Sequence, residues 1–138
     1  MSIRLSSKQL SEIHSHAQRD YPHECCGVLL GSAESDEKVV TATKALENVH
    51  DEGHERRYLI SARSMYEVER DARAAGVAIL GFYHSHPDHP AIPSEYDREW
   101  AWPWYSYIIV SVRGGEIAET TCWTLDDDRA AFQPEEFR

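Results

Sequence analysis

One apolar segment of this chain runs directly into a proline-rich one, and this junction restricts the fold more than any other feature. Residues 77–83 (VAILGFY) have the length and composition of a buried β-strand. Residues 87–93 (PDHPAIP) contain three prolines, which lack a main-chain donor and have a fixed φ angle. The chain must therefore leave a sheet in a stiff loop, immediately after His84, Ser85 and His86.

Three helices are predicted along the chain. Apolar residues spaced three and four apart predict a first helix that ends near Asp20. A second helix is predicted between Ser61, its N-cap, and Gly76, its C-terminal cap. Ser94 is predicted to begin a short third helix that ends before Pro103.

Further apolar and β-branched runs predict a sheet around the strand at residues 77–83. The additional strands are residues 25–31, 38–46, 105–112 and 117–125, and Gly114 and Gly115 predict a hairpin turn between the last two. Residues 32–37 are predicted to be a turn, residues 47–57 a loop and residues 58–60 a short strand. Phe132, in the acidic tail, is expected to pack under a sheet edge.

The length and the order of these elements define a fold class. A chain of 138 residues is long enough for one domain, here residues 1–138, that buries roughly 68% of the surface of its unfolded form. Helices that alternate with strands and a terminal hairpin predict an α/β or α+β domain with a mixed sheet.

Composition excludes several classes of function. The net charge of −10 argues against binding to nucleic acid, and no apolar run approaches the roughly 18 residues of a membrane span. The first residues lack the apolar region of a secretory signal, so we expect a cytoplasmic protein. The three cysteines are too few for a disulfide framework, which agrees with a reducing compartment.

Candidate chemistry is concentrated in the segment HSHPDHPAIPSEYD. His84 and His86 lie two residues apart on a strand, so both imidazoles face the same side and can meet one ion. Asp97, one turn into the third helix, would add a carboxylate, and two imidazoles, one carboxylate and a water form a typical catalytic zinc site. Two alternatives remain open: isolated HxH pairs are usually surface residues, and Ser94 with Asp97 also forms a helix capping box that needs no metal.

A second metal pattern overlaps the first. HSHPDH also fits HxHxDH, in which Asp88 and His89 would bind a second ion, as in hydrolases of the metallo-β-lactamase type. That fold needs further histidines downstream, and none follows His89. We therefore disfavour this interpretation.

The segments together resemble the JAMM (MPN-plus) metallopeptidases. The motif of that family is an early glutamate, then HxH, seven residues, serine, two residues and aspartate. It is complete here in Glu24, His84, His86, Ser94 and Asp97, and the flanks YPHECCGVLLG and GFYHSHPDHPAIPSEYDREWAWP are similar as well. The resemblance covers nearly the whole chain and points to the short bacterial and archaeal members.

The resemblance implies a fold, a cofactor and a mechanism. The fold would be a mixed, curved sheet flanked by helices, of the cytidine-deaminase-like type. His84, His86 and Asp97 would hold one Zn²⁺ ion with water as the fourth ligand, Glu24 would act as general base, and Ser94 would stabilise the oxyanion.

The resemblance also implies a substrate class. The substrate would be the amide bond after the C-terminal Gly-Gly of a ubiquitin-like or sulfur-carrier protein. Two other functions remain open, namely a zinc-bound but non-catalytic module that recognises such tails, and a zinc amidase that acts on small molecules.

Other chemically notable residues are expected to be structural. The tryptophans at positions 100, 102 and 104 are expected to form a core or helix-end aromatic cluster rather than a substrate platform. Cys25 and Cys26 are expected to be buried free thiols rather than nucleophiles. The remaining histidines are expected to lie on the surface, namely His14, His16, His23, His50 and His54.

Overall fold

The computed structural model describes residues 2–49 and 58–137, which form an eight-stranded mixed sheet with three helices. The helices are α1 (Ser7–Asp20), α2 (Ala62–Ala75) and α3 (Glu95–Trp100). The strands are β1 (Ser2–Arg4), β2 (Cys26–Glu34), β3 (Glu37–Leu46), β4 (Ala78–Pro87), β5 (Ser106–Arg113), β6 (Glu116–Leu125), β7 (Phe132–Pro134) and β8 (Glu136–Phe137). Within the described ranges, no helix is long and apolar enough to cross a membrane.

The helices begin at capping serines, of which Ser61 and Ser94 were predicted from the sequence. Ser6 caps α1 by accepting a hydrogen bond from the backbone N–H of Gln9, whose side chain accepts one from the N–H of Ser6. The side chain of Ser61 caps α2 by accepting a hydrogen bond from the backbone N–H of Ser64. Gly76 ends α2 in the left-handed conformation, which a residue without a Cβ adopts readily. All three predicted helices are confirmed.

Strand β4 lies in the middle of the sheet, and its neighbours determine what surrounds the HxH segment. The strand order is β7-β6-β5-β4-β2-β3-β1-β8. Strand β4 pairs antiparallel with β2 and parallel with β5. The register with β2 places His84 opposite Cys26, so the residues just before β2 lie beside the end of β4.

Three short strands were not predicted from the sequence. Strands β1, β7 and β8 have only two or three residues each, too few to show a period of two. Strands β7 and β8 stand at opposite ends of the sheet order, yet only Glu135 separates them in the chain. The N–H of Glu135 also donates to the carbonyl of Cys122 on β6. The sheet therefore curves until its edges nearly meet, which gives the mixed and curved α+β fold that was expected.

Two predictions about connecting segments are wrong. The turn between β2 and β3 is shorter than residues 32–37, because β2 continues through Glu34 and β3 begins at Glu37. Residues 58–60 do not form a strand; Leu59 instead bonds through its carbonyl to the N–H of Val49 and through its N–H to the side chain of Asn48. Most of the predicted loop at residues 47–57 lies outside the described residues.

The sheet carries an apolar core on each face. One face packs under α1 through residues that include Ile13, Leu29 and Ile108, all fully buried. The other face packs under α2 through residues that include Val68 and Val28. Successive residues of a strand point to opposite faces, so Val28 and Leu29 belong to different cores. Phe132 packs against the second core, as the sequence predicts.

A buried lysine on β3 contacts residues at the start of β5 and the residue between the two edge strands β7 and β8. Lys38 on β3 is completely buried, and its ammonium group donates to the carbonyl of Trp104 and, at 2.7 Å, to the hydroxyl of Ser106. The carboxylate of Glu135 lies 3.9 Å away. Burial lowers the pKa of Lys38, while the charge of Glu135 acts in the opposite direction. These hydrogen bonds and the nearby carboxylate offset the cost of burying the ammonium group of Lys38.

Candidate metal centre

His84 and His86 present their side chains on the same side of β4, as their spacing predicts. Both rings are buried, and the two Nε2 atoms lie 3.2 Å apart. Ser85 between them is also buried, but strand alternation turns its side chain to the opposite side. Residues of one strand thus bring two imidazole nitrogens to one point.

Asp97 completes a group of three donor atoms. Its Oδ2 lies 3.3 Å from Nε2 of His84 and 3.2 Å from Nε2 of His86. Asp97 is buried and is the third residue of α3, which begins directly after the stiff proline-rich loop. The two histidines lie on β4 and the aspartate on α3, and the loop between these elements brings the three side chains together.

The distances between these donors fit one tetrahedral ion. Zinc binds imidazole nitrogen and carboxylate oxygen at about 2.0–2.2 Å, so neighbouring ligands of a tetrahedral site lie about 3.3–3.6 Å apart. The three measured separations of 3.2, 3.3 and 3.2 Å are close to that range. With Glu24, the four residues have donor atoms within 4.8 Å of one another. The buried Glu-His-His-Asp cluster is compatible with a metal ion.

Hydrogen bonding and stacking orient the two imidazoles. The Nδ1 atom of His86 lies 2.9 Å from the carbonyl of Pro90, which can only accept a hydrogen bond, so Nδ1 donates to it and Nε2 faces Asp97. The ring of His84 instead stacks on Tyr58, with centroids 4.5 Å apart. The Nδ1 atom of His84 is buried without a hydrogen-bond partner among the described residues.

The pKa values of His84 and Asp97 are both lowered, the first by burial and the second by contacts with the two imidazoles. Burial lowers the pKa of His84, and the neighbouring Asp97 opposes this effect only in part. Burial also opposes ionisation of Asp97, but the two imidazoles outweigh it and hold the pKa of the carboxyl below its usual range. Neutral imidazole and ionised carboxylate are the protonation states that bind a metal.

Glu24 lies beside this group with a carboxyl group that no described residue binds. Its side chain is 2% exposed, and both of its oxygens are buried without a hydrogen-bond partner among the described residues. Burial, reinforced by the charge of Asp97, raises the pKa of Glu24 to about 9. A buried carboxyl group without a partner is costly, which is the pattern of a group placed for chemistry.

Ser94 has the capping role that the sequence left open. Its hydroxyl accepts a hydrogen bond from the N–H of Asp97 at 3.0 Å, and its own N–H donates to Oδ2 of Asp97 at 2.8 Å. The box therefore caps α3 and at the same time orients the carboxylate towards the histidines. The cap and the metal site are compatible with each other.

The alternative sites do not form. Asp88 accepts hydrogen bonds from the hydroxyl of Tyr21 and the N–H of Gly114, and His89 is exposed. Burial raises the pKa of the Cys25 thiol to about 12, which makes it a poor nucleophile. Cys25 and Cys26 are buried free thiols, as expected.

The expectations about the other aromatic and histidine residues are met only in part. Of the two places expected for the tryptophans, the core is wrong and the helix end is right: Trp100, Trp102 and Trp104 are 61%, 63% and 44% exposed at or just after the end of α3. His16 is not on the surface but buried, with its Nδ1 2.7 Å from the hydroxyl of Tyr83. His14 is half-buried and His23 exposed, while His50 and His54 lie outside the described residues.

Two clefts meet at the cluster. One, of about 280 Å³, is lined by Glu24, His86 and Ser94 among others. The second, of about 250 Å³, is apolar and is lined by Tyr58, Asp97, Trp102 and neighbouring aromatic residues. Tyr58 was not among the predicted site residues, because the segment before α2 shows no periodicity. The sequence marks Tyr58 only as an aromatic residue that follows a long polar stretch.

Comparisons with known proteins agree with this geometry. The chain is 37% identical over 132 residues to the desampylase of Haloferax volcanii, a match that covers 92% of this chain and 91% of the relative. It is 31% identical over 123 residues to the CysO-cysteine peptidase of Mycobacterium tuberculosis, covering 87% of this chain and 80% of the relative.

Solved structures share the fold. The solution structure of protein DSY2949 from Desulfitobacterium hafniense superposes with a TM-score of 0.86 at 30% identity, over 99% of this chain and 91% of that one. AF2198 from Archaeoglobus fulgidus, a JAB1/MPN domain protein, superposes with a TM-score of 0.59 at 20% identity, over 99% and 98% of the two chains, and so shows the fold alone. Residues 6–126 match the family described as the prokaryotic homologs of the JAB domain, and the chain belongs to that family.

Proposed function

We propose that this protein is a zinc-dependent peptidase or isopeptidase that hydrolyses the amide bond after the C-terminal Gly-Gly of a ubiquitin-like or sulfur-carrier protein. One observation carries the proposal: a buried triangle of two imidazole nitrogens and one carboxylate oxygen lies beside a buried carboxyl group that no described residue binds. Three ligands with an adjacent acid or base are the parts of a hydrolytic metal site.

His84, His86 and Asp97 would hold the ion, and Glu24 and Ser94 would do the remaining chemistry. A bound zinc ion supplies Lewis acidity, which polarises a carbonyl and acidifies water. Glu24 would take a proton from the attacking water and pass it to the leaving amine. Its raised pKa means that it holds a proton readily, and a neighbouring cation would shift that pKa back down. Glu24 is thus suited to both transfers.

Ser94 would act on the oxygen of the scissile carbonyl. Its Oγ accepts from the N–H of Asp97, which leaves the hydroxyl proton available to donate. A donor directed at an oxygen that becomes negative stabilises the transition state more than the ground state. Ser94 would therefore serve as cap and oxyanion donor together.

The relatives and the clefts support this substrate class. The two relatives described above are a desampylase and a CysO-cysteine peptidase, and neither is much longer than this chain. Glycines, which lack a Cβ, suit a tail that must pass closely beside buried ligands. The apolar cleft lined by Tyr58, Trp100 and Trp102 would accept the side chain that precedes the glycines.

The experiment is a cleavage assay on the purified, zinc-loaded chain with a carrier protein fused through its Gly-Gly terminus to a short peptide. We expect cleavage after the second glycine, loss of cleavage with a chelator, and recovery when zinc is added back. Binding of the carrier without turnover would instead indicate a non-catalytic recognition module. Equal turnover of small amides and of the carrier fusion would indicate an amidase of broad specificity.

A further inference from the structure

The position of the Glu24 carboxyl group depends on the main chain around it. Neither of its side-chain oxygens has a hydrogen-bond partner among the described residues, so no side-chain contact of that kind holds it in place. Glu24 also precedes the first residue of β2, and the ladder between β2 and β4 therefore does not include it. Two polar side chains on other segments bond to the peptide group between Glu24 and Cys25, one to its N–H and one to its carbonyl.

Ser85 holds the residue that follows Glu24. Its hydroxyl accepts a hydrogen bond from the N–H of Cys25 at 2.9 Å, and its N–H donates to the carbonyl of Cys25 at 3.1 Å. Ser85 is fully buried and stands between His84 and His86. It thus extends the pairing of β2 and β4 by one residue, with a side-chain oxygen in place of a ladder carbonyl. The segment that carries Glu24 is attached to the strand that carries the imidazoles.

Asn48 bonds to the carbonyl of Glu24, on the opposite edge of the same peptide group. Its Nδ2 donates to the carbonyl of Glu24 at 2.9 Å, while its Oδ1 accepts from the N–H of Leu59 at 3.0 Å. Leu59 lines the apolar cleft beside Asp97. One side chain therefore connects the glutamate segment with the wall of that cleft.

We propose that Ser85 and Asn48 are positioning residues for Glu24, which hold its carboxyl group at the distance from His84, His86 and Asp97 that proton transfer requires. This inference rests on the proposed function, in which Glu24 moves the proton. A displacement of about 1 Å at a reacting group lowers a rate by up to about 10²-fold. Neither side chain belongs to the group of candidate metal ligands, so we expect their loss to lower turnover while zinc is retained.

Two substitutions remove the two bonds separately. Asn48→Asp keeps the acceptor for Leu59 but replaces the donor that binds Glu24 with an oxygen that repels its carbonyl. Ser85→Ala removes the acceptor for Cys25, and Ser85→Thr keeps a hydroxyl there. We expect kcat to fall roughly 10- to 100-fold in Asn48→Asp and Ser85→Ala. KM and zinc content should stay unchanged, and Ser85→Thr should recover most of the lost turnover.

A matched control and a second readout separate positioning from loss of structure. Ser106→Ala removes an equally buried serine hydroxyl at the far end of β5, and it should reduce stability without changing kcat. Amide hydrogen exchange, measured on the zinc-loaded protein, should become faster at Cys25 in Ser85→Ala but not in Ser106→Ala. Faster exchange at Cys25 with an unchanged kcat would overturn the proposal. Loss of zinc in both Asn48→Asp and Ser85→Ala would overturn it as well. If the wild-type protein cleaves no carrier fusion, the proposed function fails, and unchanged exchange at Cys25 in Ser85→Ala would refute the Ser85 contact separately.

Discussion

Ser94 and Asp97 exchange two hydrogen bonds, one from the N–H of Asp97 to the hydroxyl of Ser94 and one from the N–H of Ser94 to Oδ2 of Asp97. The same Oδ2 atom lies within 3.3 Å of both imidazole nitrogens. The first turn of a short helix therefore sets the direction of the carboxylate, and the helix cap shares Asp97 with the proposed metal site.

Substitution of any one ligand should remove the metal. His84→Ala, His86→Ala and Asp97→Ala each leave two of three protein ligands, which is too few to retain the ion after dialysis. Zinc content measured per chain should fall from about one to near zero, and cleavage should fall with it. His89→Ala is the matched control for zinc content, since His89 is exposed and outside the cluster although it lines the adjacent cleft. Retention of stoichiometric zinc by any of the three variants would contradict the ligand assignment.

Two substitutions at Ser94 should separate its capping role from its chemical role. Ser94→Ala should retain zinc, lose about 1 kcal/mol of stability because the cap is lost, and turn over about 10²-fold more slowly. Ser94→Asn restores a good N-cap without a hydroxyl, so its stability should recover while its turnover stays low. Chemical denaturation and kcat measured on each variant test both expectations. Normal turnover in Ser94→Ala would reduce Ser94 to a helix cap.

Replacement of Glu24 should separate chemistry from metal binding. Glu24→Gln preserves size and can still hydrogen-bond water, but an amide does not accept a proton at neutral pH. We expect zinc content and carrier affinity close to those of the wild type and turnover at least roughly 10²-fold slower. All three quantities should be measured on one preparation. Loss of zinc would show that Glu24 is structural, and full turnover would remove it from the mechanism.

The metal-free protein should lose stability as the pH rises, because of Glu24. Its pKa is raised in the folded state from 4.5 to about 9, so between these values the folded state holds a proton that the unfolded state has released. This contribution to stability is complete below pH 4.5 and disappears as the pH rises towards 9. Glu24→Gln cannot release that proton. Thermal unfolding of both chelated proteins from pH 5 to 9 should show a decline in the wild type that is smaller in the variant, and parallel curves would contradict the shift.

The apolar cleft should contribute to recognition of the carrier tail. Trp102→Ala removes a 63% exposed ring that lines this cleft, and we expect kcat/KM for a carrier tail with an apolar residue before the glycines to fall roughly 5- to 30-fold. Tyr66→Ala is the control, because Tyr66 is equally exposed, at 65%, but does not line the cleft. An equal loss in both variants would argue against a specific role of the cleft.

Local patterns predicted much of the fold, and which of the candidate site residues share an element, because these features depend on neighbours in sequence. Ser61 and Gly76 bound α2 through contacts within one turn. The spacing of His84 and His86 puts both rings on one face of any strand, and that of Ser94 and Asp97 forms a cap at any helix start. The short edge strands escaped prediction because pairing with distant strands, rather than their own composition, makes them strands.

The sequence by itself determined which side chains are available and which of them share an element: two imidazoles on β4 and a capped aspartate on α3. The family resemblance names Glu24, but no local pattern places it beside them; the tertiary structure does so, because the register of β2 against β4 places Cys25 beside Ser85 across 60 residues of chain. The burial of His16 and of Lys38 also depends on partners far away in the chain, namely Tyr83 and Ser106. The physical reason is that periodicity reports contacts within a few residues, whereas burial and electrostatic environment depend on segments that folding brings together.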